Sequence, residues 1–329
     1  MKQNEPILNP DAEGKKRRNR KKVTLREIAR IAGCAHCTVS RALADKSCVT
    51  DELRNRILKI ARDLGYIQPG TKSLALLTPF FPNIICYYNT RLLAALSRVL
   101  DREGCSFDLI PENHLRVLNE KHIDGAISLC YSGETAKKWS ALNSIPLVCI
   151  NDFAFHTDRI YSVCSDDRQA MERILDYLRR RGHRKIACCD RVPQHNLNHL
   201  RRRKFFLEFA GTHSLFLCTG NTRQITETVL EAGITALICP FEMTDLTLYA
   251  ALRNAGIRIP QDLELICWQV PGITEELQLN GLRVEQNFDR LAEEAAALLM
   301  RLMQGGQPLR DVSVPYRIAE RPFFSPHPH

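Results

Sequence analysis

The sequence predicts an α/β protein in two parts: an N-terminal helix-turn-helix headpiece and a larger core of two doubly wound lobes. Three observations carry this. Residues 24–64 hold the apolar period of three short helices. From Leu74 onward, short apolar runs alternate with amphipathic helical stretches, the pattern of parallel sheets covered on both faces. The charge is also divided unequally. Residues 1–70 hold 16 Lys/Arg against 8 Asp/Glu, whereas the rest of the 329-residue chain holds 30 against 29.

In the first helix Leu25, Ile28, Ala29 and Ala32 share a face, and Val39, Ala42 and Leu43 repeat the spacing in the second. Gly33 separates the two runs, where a left-handed backbone costs a glycine least. Thr24, with Glu27 three residues on, reads as a capping box that starts the first helix. The third helix aligns Leu53, Ile57, Ile60, Ala61 and Leu64, between Thr50 as N-cap and Gly65 as stop. Two helices across a tight turn, braced by a third, form a unit whose second helix enters the DNA major groove. A basic unit on a neutral body is the electrostatic footprint of a polyanion binder. Much of the excess lies in Lys15, Lys16, Arg17, Arg18, Arg20, Lys21 and Lys22. That run is either a solvated arm or one lying along phosphates or in a minor groove.

In the core, strands are expected at 74–77, 106–110, 125–130, 146–150, 185–189, 214–218, 235–239 and 263–268. Helices are expected near 90–103, 167–182, 198–210, 222–232, 243–255 and 288–304. Eight strands over this length suit two lobes better than one sheet, with ligands bound at the carboxyl ends of the strands.

Composition excludes several classes. No apolar run approaches a membrane span, and the N-terminus has no apolar signal core, which predicts a cytoplasmic protein. Thirteen cysteines are an odd number spread over a long chain, mostly inside apolar strands, and read as reduced small hydrophobes. Cys34-Ala-His-Cys37 has no second Cys/His pair nearby to complete a zinc site, so no metal or cofactor is expected. His195 and His199, four apart, read as solvent-facing or pocket residues. Nucleotide-binding glycine loops, the nucleophile elbow and the HExxH pair are all missing, so an enzyme is not expected.

Thr24-Leu, Ile28-Ala, Ala32-Gly, Thr38-Val-Ser-Arg41 and Leu64-Gly-Tyr66 closely resemble the DNA-binding headpiece of the LacI/GalR family of bacterial regulators. Ile123-Asp-Gly-Ala126, Ile145-Pro-Leu-Val148, Arg181-Gly-His-Arg-Lys-Ile186 and Gly256-Ile-Arg-Ile-Pro-Gln-Asp262 resemble landmarks of its core, more weakly. The resemblance implies a headpiece over 23–68 behind a basic arm at 1–22, a linker at 69–73 and a core over 74–329. That core would be two lobes like those of periplasmic sugar-binding proteins: 71–162 with 287–310, and 163–286 with 311–329. It implies a homodimeric transcriptional regulator, a repressor, on a palindromic double-stranded operator, with a small-molecule effector and no membrane partner. His36, Cys37 and Arg41 would read base edges, with arginine the commonest reader of guanine. Thr24, Thr38 and Ser40 would hold phosphates. The effector pocket would comprise Phe80, Asn151, Arg202, Phe241, Glu242, Gln269 and Gln286.

Two features depart from the family pattern. The roughly ten residues of its hinge helix are missing between Tyr66 and the first strand, which puts operator wedging and bending in doubt. In the pocket, carboxylates that take hydroxyl hydrogen bonds from a sugar give way to Asn151, to Phe241-Glu242 and to Gln269-Val270. Arg202 matches the effector-gripping arginine, but Phe205 stands where a glycine is expected. The effector is therefore not clearly a sugar. The alternative reading is an architectural, nucleoid-type DNA binder without effector control.

Overall fold

The computed structural model describes residues 23–43, 49–64, 66, 72–79, 87–120, 123–130, 133–142, 144–153, 155–190, 197–209, 214–242, 246–269, 281–306 and 311–320. The chain divides into two compact units, Met1–Thr71 and Lys72–His329. The basic arm, Gly65, the linker up to Thr71 and Phe80 lie outside the described residues.

In the first unit, α1 (Leu25–Ala32), α2 (His36–Leu43) and α3 (Asp51–Asp63) pack around Ile28, Ala32, Val39, Ala42, Ile57 and Ala61. Thr24 caps α1, its hydroxyl accepting from the Glu27 amide at 3.3 Å. Gly33 adopts φ 64° and donates to Ala29, so the chain leaves α1 in the left-handed conformation that a Cβ disfavours. Ala35 then starts α2, its carbonyl accepting from Thr38 and Val39.

The second unit holds two six-stranded sheets. The first orders β1 (Ser73–Thr78), β2 (Ser106–Pro111), β3 (Gly125–Ser128), β4 (Leu147–Ile150), β5 (Ile160–Ser165) and β11 (Val312–Val314) as β11-β5-β4-β3-β1-β2, all parallel. One face packs against α4 (Tyr87–Arg102) and α10 (Phe288–Met303), the other against α5 (Glu134–Leu142) around Trp139. The second sheet orders β6 (Lys185–Asp190), β7 (Ser214–Thr219), β8 (Ala236–Glu242), β9 (Glu264–Trp268), β10 (Leu282–Glu285) and β12 (Arg317–Glu320) as β12-β10-β9-β8-β6-β7. Only β10 and β12 pair antiparallel among these described strands. Helices α6 (Asp167–Arg180) and α7 (Leu197–Glu208) cover one face, α8 (Thr222–Glu231) and α9 (Leu246–Asn254) the other.

All eight expected strands form. Four others were not legible: β5 is broken by Ser162 and Ser165, β10 alternates charge, and β11 and β12 are very short. They correct the expected lobe boundaries. Strand β5 runs on to Ser165 and β11 joins the first sheet, so cuts at 162 and 310 fall too early. The chain crosses between lobes after β5, after β10 and after β11. Ser73 opens β1 and is not linker.

The described cysteines are free thiols, and those in the strands are buried. Cys218, Cys189, Cys239 and Cys267 stand at one level across β7, β6, β8 and β9. Burial pushes the Cys149 and Cys188 thiols well above their usual range and Cys218 up to about 11, so they act as small hydrophobes.

Candidate nucleic-acid interface and ligand cleft

Helix α2 has two unlike sides. Val39 and Ala42 are buried in the headpiece core, while His36, Cys37, Ser40 and Arg41 are exposed and Thr38 is half-buried. None of these polar side chains forms a hydrogen bond or ion pair within the described residues. Thr24 is exposed at the start of α1, its hydroxyl engaged with the Glu27 amide. Cys34 packs against the headpiece core whereas Cys37 faces solvent, so the two thiols play different parts. Among the described residues no group of three or more His, Cys, Asp or Glu is placed to hold a metal ion.

Between the lobes of the core the polar residues engage one another. On the first lobe, the Asn151 amide nitrogen donates to Tyr88 Oη at 2.9 Å and to Gln286 Oε1 at 3.1 Å. The Asn151 amide oxygen accepts from the Ser165 backbone at 2.7 Å, and Ser165 Oγ donates to Gln286 at 3.0 Å. Asn151 holds φ 56°, a left-handed conformation that asparagine tolerates better than most residues. A carboxylate here could not donate to Tyr88 and Gln286, which is the local reason for an amide.

On the second lobe, buried Asp167 sits among two arginines and a tyrosine. Arg202 Nε donates to its Oδ1 at 2.9 Å, Tyr316 Oη donates to the same oxygen at 2.6 Å, and Arg201 Nε lies 3.0 Å from Oδ2. Arg202 also donates to the Pro240 carbonyl at 2.7 Å and to Tyr316 Oη at 2.9 Å, and lies 4.9 Å over the Trp268 ring. Burial raises the Tyr316 phenol, which stays protonated as a donor. Arg201 donates to the Ser165 carbonyl and stacks 4.7 Å over Phe153.

Of the expected pocket residues, Asn151 and Gln286 meet directly, and Arg202 faces inward to Asp167 rather than open space. Gln269 is buried after β9, its backbone amide donating to the Val284 carbonyl. Phe241 and Glu242 end β8, with Glu242 in register with Trp268. Sequence reasoning missed Tyr88, Phe153, Ser165, Asp167, Arg201, Trp268 and Tyr316. Arg201 was hidden in the run Arg201-Arg-Arg-Lys204, which reads as a surface charge run.

His199, expected at the surface or in the pocket, is buried against Asp190 at 2.7 Å. Burial lowers its pKa against the opposing pull of Asp190. Glu264 is buried at the other end of the second sheet. Burial alone would raise it, but hydrogen bonds from His183, Tyr177 and Arg181 outweigh that and hold it below the usual carboxylate range.

Comparison with known proteins agrees with this architecture. Residues 24–68 match the model of bacterial regulatory proteins of the lacI family, and residues 175–322 match that of a periplasmic binding protein-like domain. The chain is 24% identical to the HTH-type transcriptional repressor CytR of Escherichia coli strain K12, over 86% of this chain and 90% of that one. It is 21% identical to the HTH-type regulator YkvZ of Bacillus subtilis strain 168, over 90% and 98%. The fold resembles a Lac repressor dimer bound to operator and the anti-inducer ONPF, with TM-score 0.68 and 18% identity over 92% of this chain and 98% of that one. The chain therefore resembles the LacI family of bacterial transcriptional regulators along most of its length, with a headpiece that matches their helix-turn-helix model and a periplasmic binding protein-like core.

Proposed function

We propose that this regulator is a repressor that binds a palindromic operator as a homodimer and carries a small-molecule effector cleft in its core. The observation that carries the DNA half is the two-sided α2. Buried Val39 and Ala42 fix the helix, and that leaves His36, Cys37 and Arg41 free to reach base edges. Arg41 can make the bidentate guanine contact, His36 one hydrogen bond and Cys37 an apolar contact. Thr24, Thr38, Ser40 and the arm residues Lys15 to Lys22 hold phosphates. One headpiece reads one half-site, so twofold pairing is needed to read a palindrome.

The division is arm 1–22, headpiece 23–68, linker 69–72 and a core that begins with β1 at Ser73. No helix among the described residues is long and apolar enough to cross a membrane, and the reading places the protein in the cytoplasm, as a regulator and not an enzyme. The short linker leaves no room for a wedging helix, so the operator stays close to straight.

Genomic footprinting of the tagged protein, followed by circular-permutation gel shift on the recovered site, tests this. A discrete twofold-symmetric footprint with little bend is expected. Sequence-tolerant coating would reject it in favour of an architectural binder, and a sharp central kink would reject the short-linker reading.

A further inference from the structure

Helix α2 opens between two cysteines whose places are set by hydrogen bonds on either side. The Cys34 amide donates to the Ala29 carbonyl at 3.1 Å, which closes α1. The Ala35 carbonyl accepts from Thr38 at 3.0 Å and from Val39 at 3.2 Å, which starts α2. Cys34 is therefore the last residue before the helix cap, and Cys37 is the second residue of α2. Residues three apart around the first turn of a helix lie about 5–6 Å from each other, a separation that a disulfide spans.

Exposure sets these two thiols apart from those of the core strands. Among the described residues Cys37 is the one exposed cysteine, and Cys34 is half-buried against the headpiece core. The strand thiols are sealed among apolar side chains, where burial keeps them protonated. No acidic side chain stands in the first turn of α2 to repel an attacking thiolate. Cys37 also shares the exposed side of α2 with His36 and Arg41. A covalent change at its sulfur thus falls on the surface that would meet base edges.

We propose that Cys34 and Cys37 are a reversible dithiol site that closes as a disulfide when hydrogen peroxide reaches the headpiece. The Cys37 sulfur attacks the peroxide and breaks its O–O bond. The sulfur becomes a sulfenic acid, and the leaving hydroxide takes the thiol's proton to depart as water. The Cys34 sulfur then displaces hydroxide from Cys37, forming the S–S bond, and its own proton completes a second water. Two thiols lose two electrons and the peroxide gains both. Exchange with a small-molecule thiol reverses the step, and transient pairs of this kind are the usual form of disulfides in reducing compartments. Closure draws the Cys37 side chain back toward the turn, while buried Val39 and Ala42 keep α2 packed. The oxidised headpiece stays folded and loses its grip on the operator. That last step rests on the proposed function; the disulfide itself does not.

Trypsin cuts after Arg30 and Arg41, so residues 31–41 carry both thiols on one peptide. The full chain is treated with hydrogen peroxide, blocked with iodoacetamide and digested for mass spectrometry. Operator affinity is measured before oxidation, after it and after dithiothreitol. The peptide should lose the mass of two hydrogen atoms, and affinity should fall about tenfold and return with dithiothreitol. Cys34→Ala keeps every side chain that faces DNA, so the reduced variant should bind the operator like wild type while the mass loss disappears. Should that variant fail to fold by circular dichroism, Cys37→Ser, at an exposed position, should likewise abolish the mass loss. A peptide that only gains oxygen, or that still carries two alkylated thiols after peroxide, overturns the site. A cross-linked headpiece with unchanged operator affinity overturns its regulatory role. If the reduced wild-type chain prefers no DNA site, the DNA-binding reading fails, and the mass of this peptide still decides the disulfide.

Discussion

The exposed side of α2 and the interior between the lobes are built from similar polar side chains used in opposite ways. On α2, His36, Cys37, Ser40 and Arg41 point away from the headpiece core and engage nothing else among the described residues. In the core, Asn151, Gln286, Asp167 and Arg202 are buried and bonded in two pairs, Asn151 to Gln286 and Arg202 to Asp167. A surface that reads another molecule must leave its donors and acceptors free. An interior must satisfy them, because a buried polar group without a partner costs more than a made bond returns. A shared family motif therefore means different things in the two places: in the headpiece it marks an interface, in the core a scaffold.

The strongest way to break this contrast is at Asp167. Replacing it with Ala leaves Arg201 and Arg202 facing each other without their shared carboxylate. The core should lose about 3–5 kcal/mol, as for a broken buried ion pair, read from urea unfolding. A loss near zero would mean the cluster is solvated and available to a ligand. Next is Asn151→Asp, which sets a carboxylate against Gln286 Oε1 and removes two donated hydrogen bonds. About 2–3 kcal/mol of core stability should go, with operator affinity changed less than stability.

The exposed side of α2 should behave in reverse. Arg41→Ala should weaken the best operator by about 1–3 kcal/mol and relax preference at one base pair per half-site, while the unfolding midpoint stays put. Equal losses on operator and random DNA would show that Arg41 touches phosphate alone. The smallest effect concerns pH. His199 titrates below its ordinary range in the folded chain, so it is neutral in both states above about pH 6.5. As the pH falls from there through the folded value, the unfolded chain takes up a proton that the native state refuses, and stability declines. His199→Gln should flatten the drop in urea midpoint between pH 7 and pH 5.5; an unchanged slope would assign that drop to other groups.

The headpiece was legible almost residue by residue, because its signals are local. Thr24 caps α1, Gly33 turns the chain at φ 64°, and every third or fourth apolar side chain is buried. The eight strands with continuous apolar runs were legible for the same reason. Strand β5 was not, since Ser162 interrupts it, yet that hydroxyl is fully buried and donates to the Asp152 carbonyl. Sequence patterns price a serine as polar and do not see its partner.

By itself the sequence determined the three-helix unit, the basic bias of its first 70 residues, the repeated strand–helix units and the family resemblance. Those follow from periodicity, caps and charge, which act over a few residues. Only the tertiary structure decided which polar side chains are spent. Tyr88, Asn151, Ser165 and Gln286 come from four separate segments, as do Asp167, Arg201, Trp268 and Tyr316. A side chain's availability depends on what the fold brings within hydrogen-bonding distance, and across more than a hundred residues of chain no local pattern encodes that.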